Sequence, residues 1–257
     1  MPIFRCRDKL VFYAHVPKCA GSAVNRYLAE RFGAIAFQDE RFLLHPEEER
    51  WSRTSPQHID REARARLFPE GFFDASFTIV RHPVARAVSI YNFQREVEHT
   101  IPEGTSFSAW LEALPDRLAR DPRAFDNHAR PMDDLVPDDA TVFRLEDGTE
   151  GLVAWLDALQ GETAEPREVA PANRRSDRRG GVTWIGGRNG AEGEAPPVRP
   201  SAADLEIIAA IYGRDFSRFG YQPDASSARP TRPAQRVEAL PTSGRRPRWL
   251  ASLLGRG

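Results

Sequence analysis

The run Lys9-Leu10-Val11-Phe12-Tyr13-Ala14-His15 leads directly into Val16-Pro17-Lys18-Cys19-Ala20-Gly21-Ser22. The first seven residues are mainly apolar and aromatic, the composition of a buried strand. The next seven are mostly small and contain a proline and a glycine, the composition of a tight turn. Beyond them Val24, Tyr27, Leu28 and Phe32 recur at helical spacing over residues 21–32. Strand, tight loop, helix is therefore the opening unit. Its helix N-terminus favours an anion, through unpaired backbone N–H groups and the helix dipole. Gly21 lets the backbone approach such an anion closely, Ser22 adds a hydroxyl, and Lys18 adds a full charge.

The pattern repeats along the chain. Ala75–Val80 reads as a second buried strand, ending at Arg81-His82-Pro83, and Pro83 suits the first turn of a helix running to about residue 98. Residues 60–67 and 106–118 read as helices, the latter capped by Ser106 and with Pro115 as a kink point. Thr141–Leu145 reads as a third strand, and residues 149–159 and 201–212 as further helices. Alternating strands and helices predict an α/β fold, a P-loop-like three-layer sandwich with a central parallel β-sheet flanked by helices.

Spacing separates the phosphate chemistries open to the first loop. A nucleoside triphosphatase loop needs glycine five residues before a Gly-Lys pair, and here Lys18 precedes Gly21. A cysteine phosphatase loop needs arginine six residues after its cysteine, and Asn25 stands there, although Cys19 sits where a helix dipole would lower its pKa. The third pattern fits. His15-Val16-Pro17-Lys18-Cys19-Ala20-Gly21-Ser22 resembles the 5′-phosphosulfate loop of sulfotransferases that use 3′-phosphoadenosine 5′-phosphosulfate (PAPS), above all the carbohydrate (Golgi-type and bacterial) branch. That branch usually reads His-Ile-Pro-Lys-Thr-Gly-Gly-Thr-Ser, so Cys19, Ala20 and Ala23 depart from it.

A second stretch agrees. Arg81-His82-Pro83-Val84-Ala85-Arg86-Ala87-Val88-Ser89-Ile90-Tyr91 resembles the same family's 3′-phosphate motif. Arg81 would lie at the C-terminal end of a parallel strand, where open α/β sheets bind ligands, and Ser89 two turns into the next helix. A guanidinium fork and a hydroxyl can share one phosphate. Arg86 reads as support for the helix and Tyr91 as core.

The resemblance implies further roles. Lys18, Cys19, Ala20, Gly21, Ser22, Arg81 and Ser89 would bind PAPS, with Lys18 also catalytic on the leaving phosphate oxygen. His58, ahead of the second strand, would be the base. Asn127-His128-Ala129-Arg130-Pro131-Met132 resembles the family's Asn-His-x-Arg-Pro-Gln segment, making His128 and Arg130 acceptor or support residues. Glu146 follows the third strand and would orient site residues. The segment from Tyr212 to Tyr221 resembles a closing packing motif. No metal is implied, since lysine can supply the charge on the leaving oxygen. The acceptor would be a hydroxylated small molecule or glycan. A nucleotide-binding module without turnover and a P-loop small-molecule kinase are the alternatives.

Composition bounds the rest. The 257 residues suffice for one full-sized core. A formal net charge of −1 offers no global field for nucleic acid. The absence of a signal-peptide pattern or long apolar run makes a cytoplasmic protein the expectation, membrane-peripheral at most. Of 36 cationic residues only Lys9 and Lys18 are lysine, which singles out Lys18 inside the phosphate loop. Residues 1–223 read as the sulfotransferase domain. Within it, residues 161–200 carry seven Gly, five Pro and seven Arg and read as a mobile loop. Residues 224–257 read as a disordered Arg/Pro-rich tail, its seven arginines set against Asp224 and Glu238, able to touch an acidic partner or membrane surface.

Overall fold

The computed structural model describes residues 1–172 and 198–223. Four strands, β1 (Ile3–Cys6), β2 (Lys9–Ala14), β3 (Ala75–Val80) and β4 (Thr141–Arg144), form one sheet in the order β1-β2-β3-β4. Six helices flank it: α1 (Gly21–Phe32), α2 (Arg61–Leu67), α3 (Pro83–Glu96), α4 (Phe107–Arg120), α5 (Glu150–Gln160) and α6 (Ala202–Phe219). The protein is thus α/β with a central, mostly parallel sheet.

β2, β3 and β4 are parallel, with Ala14 opposite Thr78 and Val80 opposite Arg144. All three therefore end at one edge of the sheet, which gathers the loops that follow them. Both faces are covered. Val11 and Tyr13 point into the main core with Phe77, Ile79 and Trp155. Phe12 and Ala14 point into a smaller one with Met1, Ile3 and Ile59. This alternation follows from the strand's two-residue period.

The sheet carries one antiparallel member beside its parallel strands. β1 is an antiparallel edge strand, paired through Cys6 opposite Lys9. The Arg7–Asp8 turn joining them lacks the glycine that marks a hairpin, because Arg7 itself adopts φ 58°. Ser106 caps α4 as expected, accepting from Ala109 N at 3.1 Å, and Asp60 caps α2, accepting from Ala63 N at 2.7 Å. α4 continues through Pro115 to Arg120. α6 runs past its expected end at Tyr212, whose φ of −110° and ψ of 22° break the helical geometry. The Tyr212 hydroxyl donates to the Ala129 carbonyl at 2.8 Å.

Residues 161–172 cross the surface, held where Arg26 donates to the carbonyls of Ala170 and Pro171. Residues 173–197 of the expected mobile loop, and the tail 224–257, lie outside the described residues. No described helix is long and apolar enough to cross a membrane.

Candidate active site

The loop after β2 carries Lys18 and Ala20 in the left-handed region, at φ 67° and 64°. Ala20 is the N-cap of α1, and neither a side-chain cap nor an acidic residue occupies its first turn. The Ser22 side chain lies on an exposed position of that turn. Gly21 has a sharper role than backbone approach alone. A Cβ there would lie 1.6 Å from His15 Nε2, so the missing side chain makes room for the imidazole. His15 is in turn stacked on Tyr13 at 5.5 Å. Gly21→Ala should therefore push His15 out of its stack and cost about 1–3 kcal/mol, the usual penalty for overpacking. A thermal melt checks it, and an unchanged melting temperature would show that the ring can move freely.

Cys19 differs from its sequence reading. Its side chain is buried and its Sγ lies 3.9 Å from Met132 Sδ. Burial pushes the thiol up to about 12, and Arg86 and Arg81 only partly oppose it. The helix dipole does not make this a reactive thiolate, and only the Cys19 backbone is left to face a ligand. Two departures from the family pattern, Cys19 and Met132, meet here as one apolar sulfur pair.

The loop after β3 lies beside the first. Arg81 Nη1 reaches the Lys18 carbonyl at 3.4 Å. Arg86 is 1% exposed and clamps three carbonyls, with Nε on Pro17 at 3.1 Å, Nη1 on Arg130 at 2.9 Å and Nη2 on His128 at 2.8 Å. Glu146, in the turn after β4, takes the His82 backbone N–H at 2.8 Å and the Tyr221 hydroxyl at 2.8 Å. It therefore fixes the turn that carries Arg81. Ser89 lies two turns into α3, partly exposed.

His58 sits on a short 3-10 turn, Pro56–His58, and is buried. Its ring meets His15 edge-on at 5.0 Å and His128 edge-on at 5.0 Å. His128 stacks on Phe93 at 5.2 Å, and the Lys18 ammonium lies 3.7 Å above the centre of that same Phe93 ring. A continuous row of rings thus links the end of β2 back to Lys18. Burial and the neighbouring His58 lower the pKa of both His15 and His128 well below the ordinary histidine range. Arg130 turns away from this row to pair with Asp60 at 2.6 Å and Asp134 at 3.3 Å. It acts as support for the segment that carries His128.

Asp126 carries no sequence signal, yet its Oδ2 lies 2.6 Å from His58 Nδ1. Burial alone would raise this carboxyl; the charge and hydrogen bond of His58 outweigh it and hold the group low. His58, Asp126 and His128 offer ligand atoms within 4.8 Å of one another, the one such group among the described residues. Both imidazoles already spend Nδ1 on short hydrogen bonds, His58 to Asp126 and His128 to the Phe125 carbonyl at 2.6 Å.

The closing segment anchors this region. Asp215 is fully buried and accepts from Met132 N at 2.9 Å and Asp133 N at 2.8 Å. With Tyr212 on Ala129, it holds the stretch that carries His128 and Arg130.

Comparison with known proteins gives one family. A family model described as "Sulfotransferase family" matches residues 1–222. No curated protein and no solved structure matches.

Proposed function

Given that the chain belongs to the sulfotransferase family, we propose that it transfers a sulfuryl group from PAPS to a hydroxyl of a carbohydrate, with residues 1–223 as the working unit. The observation that carries this reading is the meeting of two cationic loops at one sheet edge, where Arg81 reaches the Lys18 carbonyl, beside the buried imidazole of His58. The donor set suits a nucleotide with phosphate at both ends. Lys18 and the open N-terminus of α1, with the backbone of Cys19, Ala20 and Gly21 and the hydroxyl of Ser22, would hold the 5′ end. Arg81 and Ser89 would hold the 3′-phosphate.

In this mechanism His58 Nε2 takes the proton of the acceptor hydroxyl as its oxygen bonds to sulfur. The bond from sulfur to the bridging phosphate oxygen breaks, and Lys18 stabilises the charge that collects on that oxygen. A sulfate ester and 3′,5′-bisphosphoadenosine leave. His128, next to His58, would touch the acceptor.

Calorimetric titration with 3′,5′-bisphosphoadenosine tests the assignment. Binding is expected, and Arg81→Ala should weaken it about 10- to 100-fold, the loss of roughly 1.5–3 kcal/mol of charge-assisted hydrogen bonding. No binding, or binding indifferent to Arg81→Ala, would sink the reading. Binding without transfer across a panel of glycans would leave a nucleotide-binding module, and turnover dependent on ATP and magnesium would leave a kinase.

A further inference from the structure

Residues Phe125, Asp126 and Asn127 have φ of 58°, 55° and 61°, three successive left-handed residues with no glycine among them. Side chains larger than glycine enter this conformation at a cost, and three in a row need a strong local reason. Each of the three makes a contact to a histidine. The Phe125 carbonyl takes His128 Nδ1 at 2.6 Å. The Asp126 carboxylate takes His58 Nδ1 at 2.6 Å. The Asn127 amide donates to the His58 carbonyl at 2.7 Å. The turn is a cradle for two imidazoles.

We propose that Asp126 is the positioning residue for His58, fixing the tautomer that leaves Nε2 unprotonated toward the acceptor. The inference rests on the sulfotransferase reading for its consequence, though not for its geometry. The carboxylate is itself oriented. Its Oδ1 accepts the Ser55 backbone N–H at 2.7 Å, and its Oδ2 accepts the Ser55 hydroxyl at 2.6 Å as well as His58. Kept ionised by His58 and Ser55, Asp126 acts only as an acceptor. In the neutral imidazole of His58 the proton then sits on Nδ1 and the lone pair on Nε2. When the acceptor proton arrives at Nε2, the imidazolium that forms already faces a carboxylate.

Asp126→Asn separates this role from packing. The Ser55 backbone N–H can only donate, so it holds the amide oxygen of the new side chain. The amide NH2 is then left facing His58 Nδ1, which must become an acceptor. The tautomer reverses while the shape is nearly unchanged. Histidine ¹⁵N NMR on the full chain without ligand should show His58 protonated on Nδ1, and on Nε2 in Asp126→Asn. Transfer from PAPS should fall at least about 10²-fold in kcat, with 3′,5′-bisphosphoadenosine affinity within about threefold, because the nucleotide loops are untouched. Asp126→Glu should recover part of kcat. Should Asp126→Asn not fold, Ser55→Ala tests the same positioning, since the Ser55 hydroxyl donates to Asp126 Oδ2 and lies 3.1 Å from His58 Nδ1: a several-fold drop in kcat at unchanged nucleotide affinity is expected, and an unchanged kcat would overturn the proposal.

The same tautomer in Asp126→Asn, or kcat within about threefold of the parent, would overturn the proposal. So would activity lost to a chelator and restored by zinc, which would make His58, Asp126 and His128 a metal centre. If the parent protein transfers no sulfuryl group, the NMR result still decides the tautomer, so the two failures are distinguishable.

Discussion

Arg86→Leu is expected to destabilise the protein by about 3–5 kcal/mol, the usual cost of removing one partner from a buried charged network. For a protein of this size that lowers the melting temperature by on the order of 10 °C. Three carbonyls, of Pro17, His128 and Arg130, lose their donor together. Two of them belong to the segment that carries His128 and one to the loop that carries Lys18, so nucleotide binding should fail with stability. Arg86→Lys should recover little, because one ammonium cannot serve three carbonyls set around a planar fork. The deficit should also depend on pH. Burial pushes the Asp215 carboxyl up to about 6 against the pull of Arg86. A folded-state value above the ordinary ~3.9 means that the native state holds this proton more tightly than the unfolded chain. The stability it contributes is complete below about pH 4 and is lost as pH rises through about 6. Without Arg86 the carboxyl rises further, so the deficit of Arg86→Leu should widen between about pH 5 and pH 8. Urea unfolding at several pH values measures this. An equal loss at every pH would show that Arg86 and Asp215 do not communicate.

Much of this architecture is legible in the chain itself, for identifiable reasons. β2, β3 and β4 and the starts of α1, α3 and α4 are marked by apolar periodicity, by Pro83, or by Ser106 as a cap. β1 escaped because four residues joined by an Arg7–Asp8 turn offer no period and no glycine. The phosphate-loop and Arg81 segments are local, strand-to-helix features, so their chemistry can be read at fixed spacing. The environment of His58 is not local. Asp126 lies 68 residues away, and nothing in Phe125-Asp126-Asn127 announces three left-handed residues. Asn127 and His128 carry a motif, and that motif is a pointer to the turn before it, which only the fold reveals. Gly21 gives the opposite lesson. Its identity was readable, but its immediate partner is His15, seen only when β2 and α1 are placed together.

Lys18→Ala is expected to lower kcat for transfer from PAPS by about 10²–10³-fold, the usual loss when one preorganised charge donor is removed from a developing oxyanion. Affinity for 3′,5′-bisphosphoadenosine should fall less, by about tenfold, or roughly 1.4 kcal/mol. The split arises because charge on the bridging oxygen grows as the bond to sulfur breaks, so the ammonium gains most in the transition state. Intact turnover with labelled PAPS in Lys18→Ala would falsify the assignment. Lys18→Arg asks the sharper question, in a chain whose cations are otherwise almost all arginine. The Lys18 ammonium lies 3.7 Å above Phe93, on the ring that also stacks with His128. That contact is worth about 0.5–2 kcal/mol, weak enough for a compact charge on a flexible stem to exchange it for a leaving oxygen. A guanidinium would lie flat on Phe93 and stay there. Lys18→Arg should therefore bind the nucleotide within about threefold of the parent but remain at least about tenfold slower in kcat. Equal kcat in the two proteins would mean that charge alone suffices at this position, and that the retention of lysine has no catalytic cause.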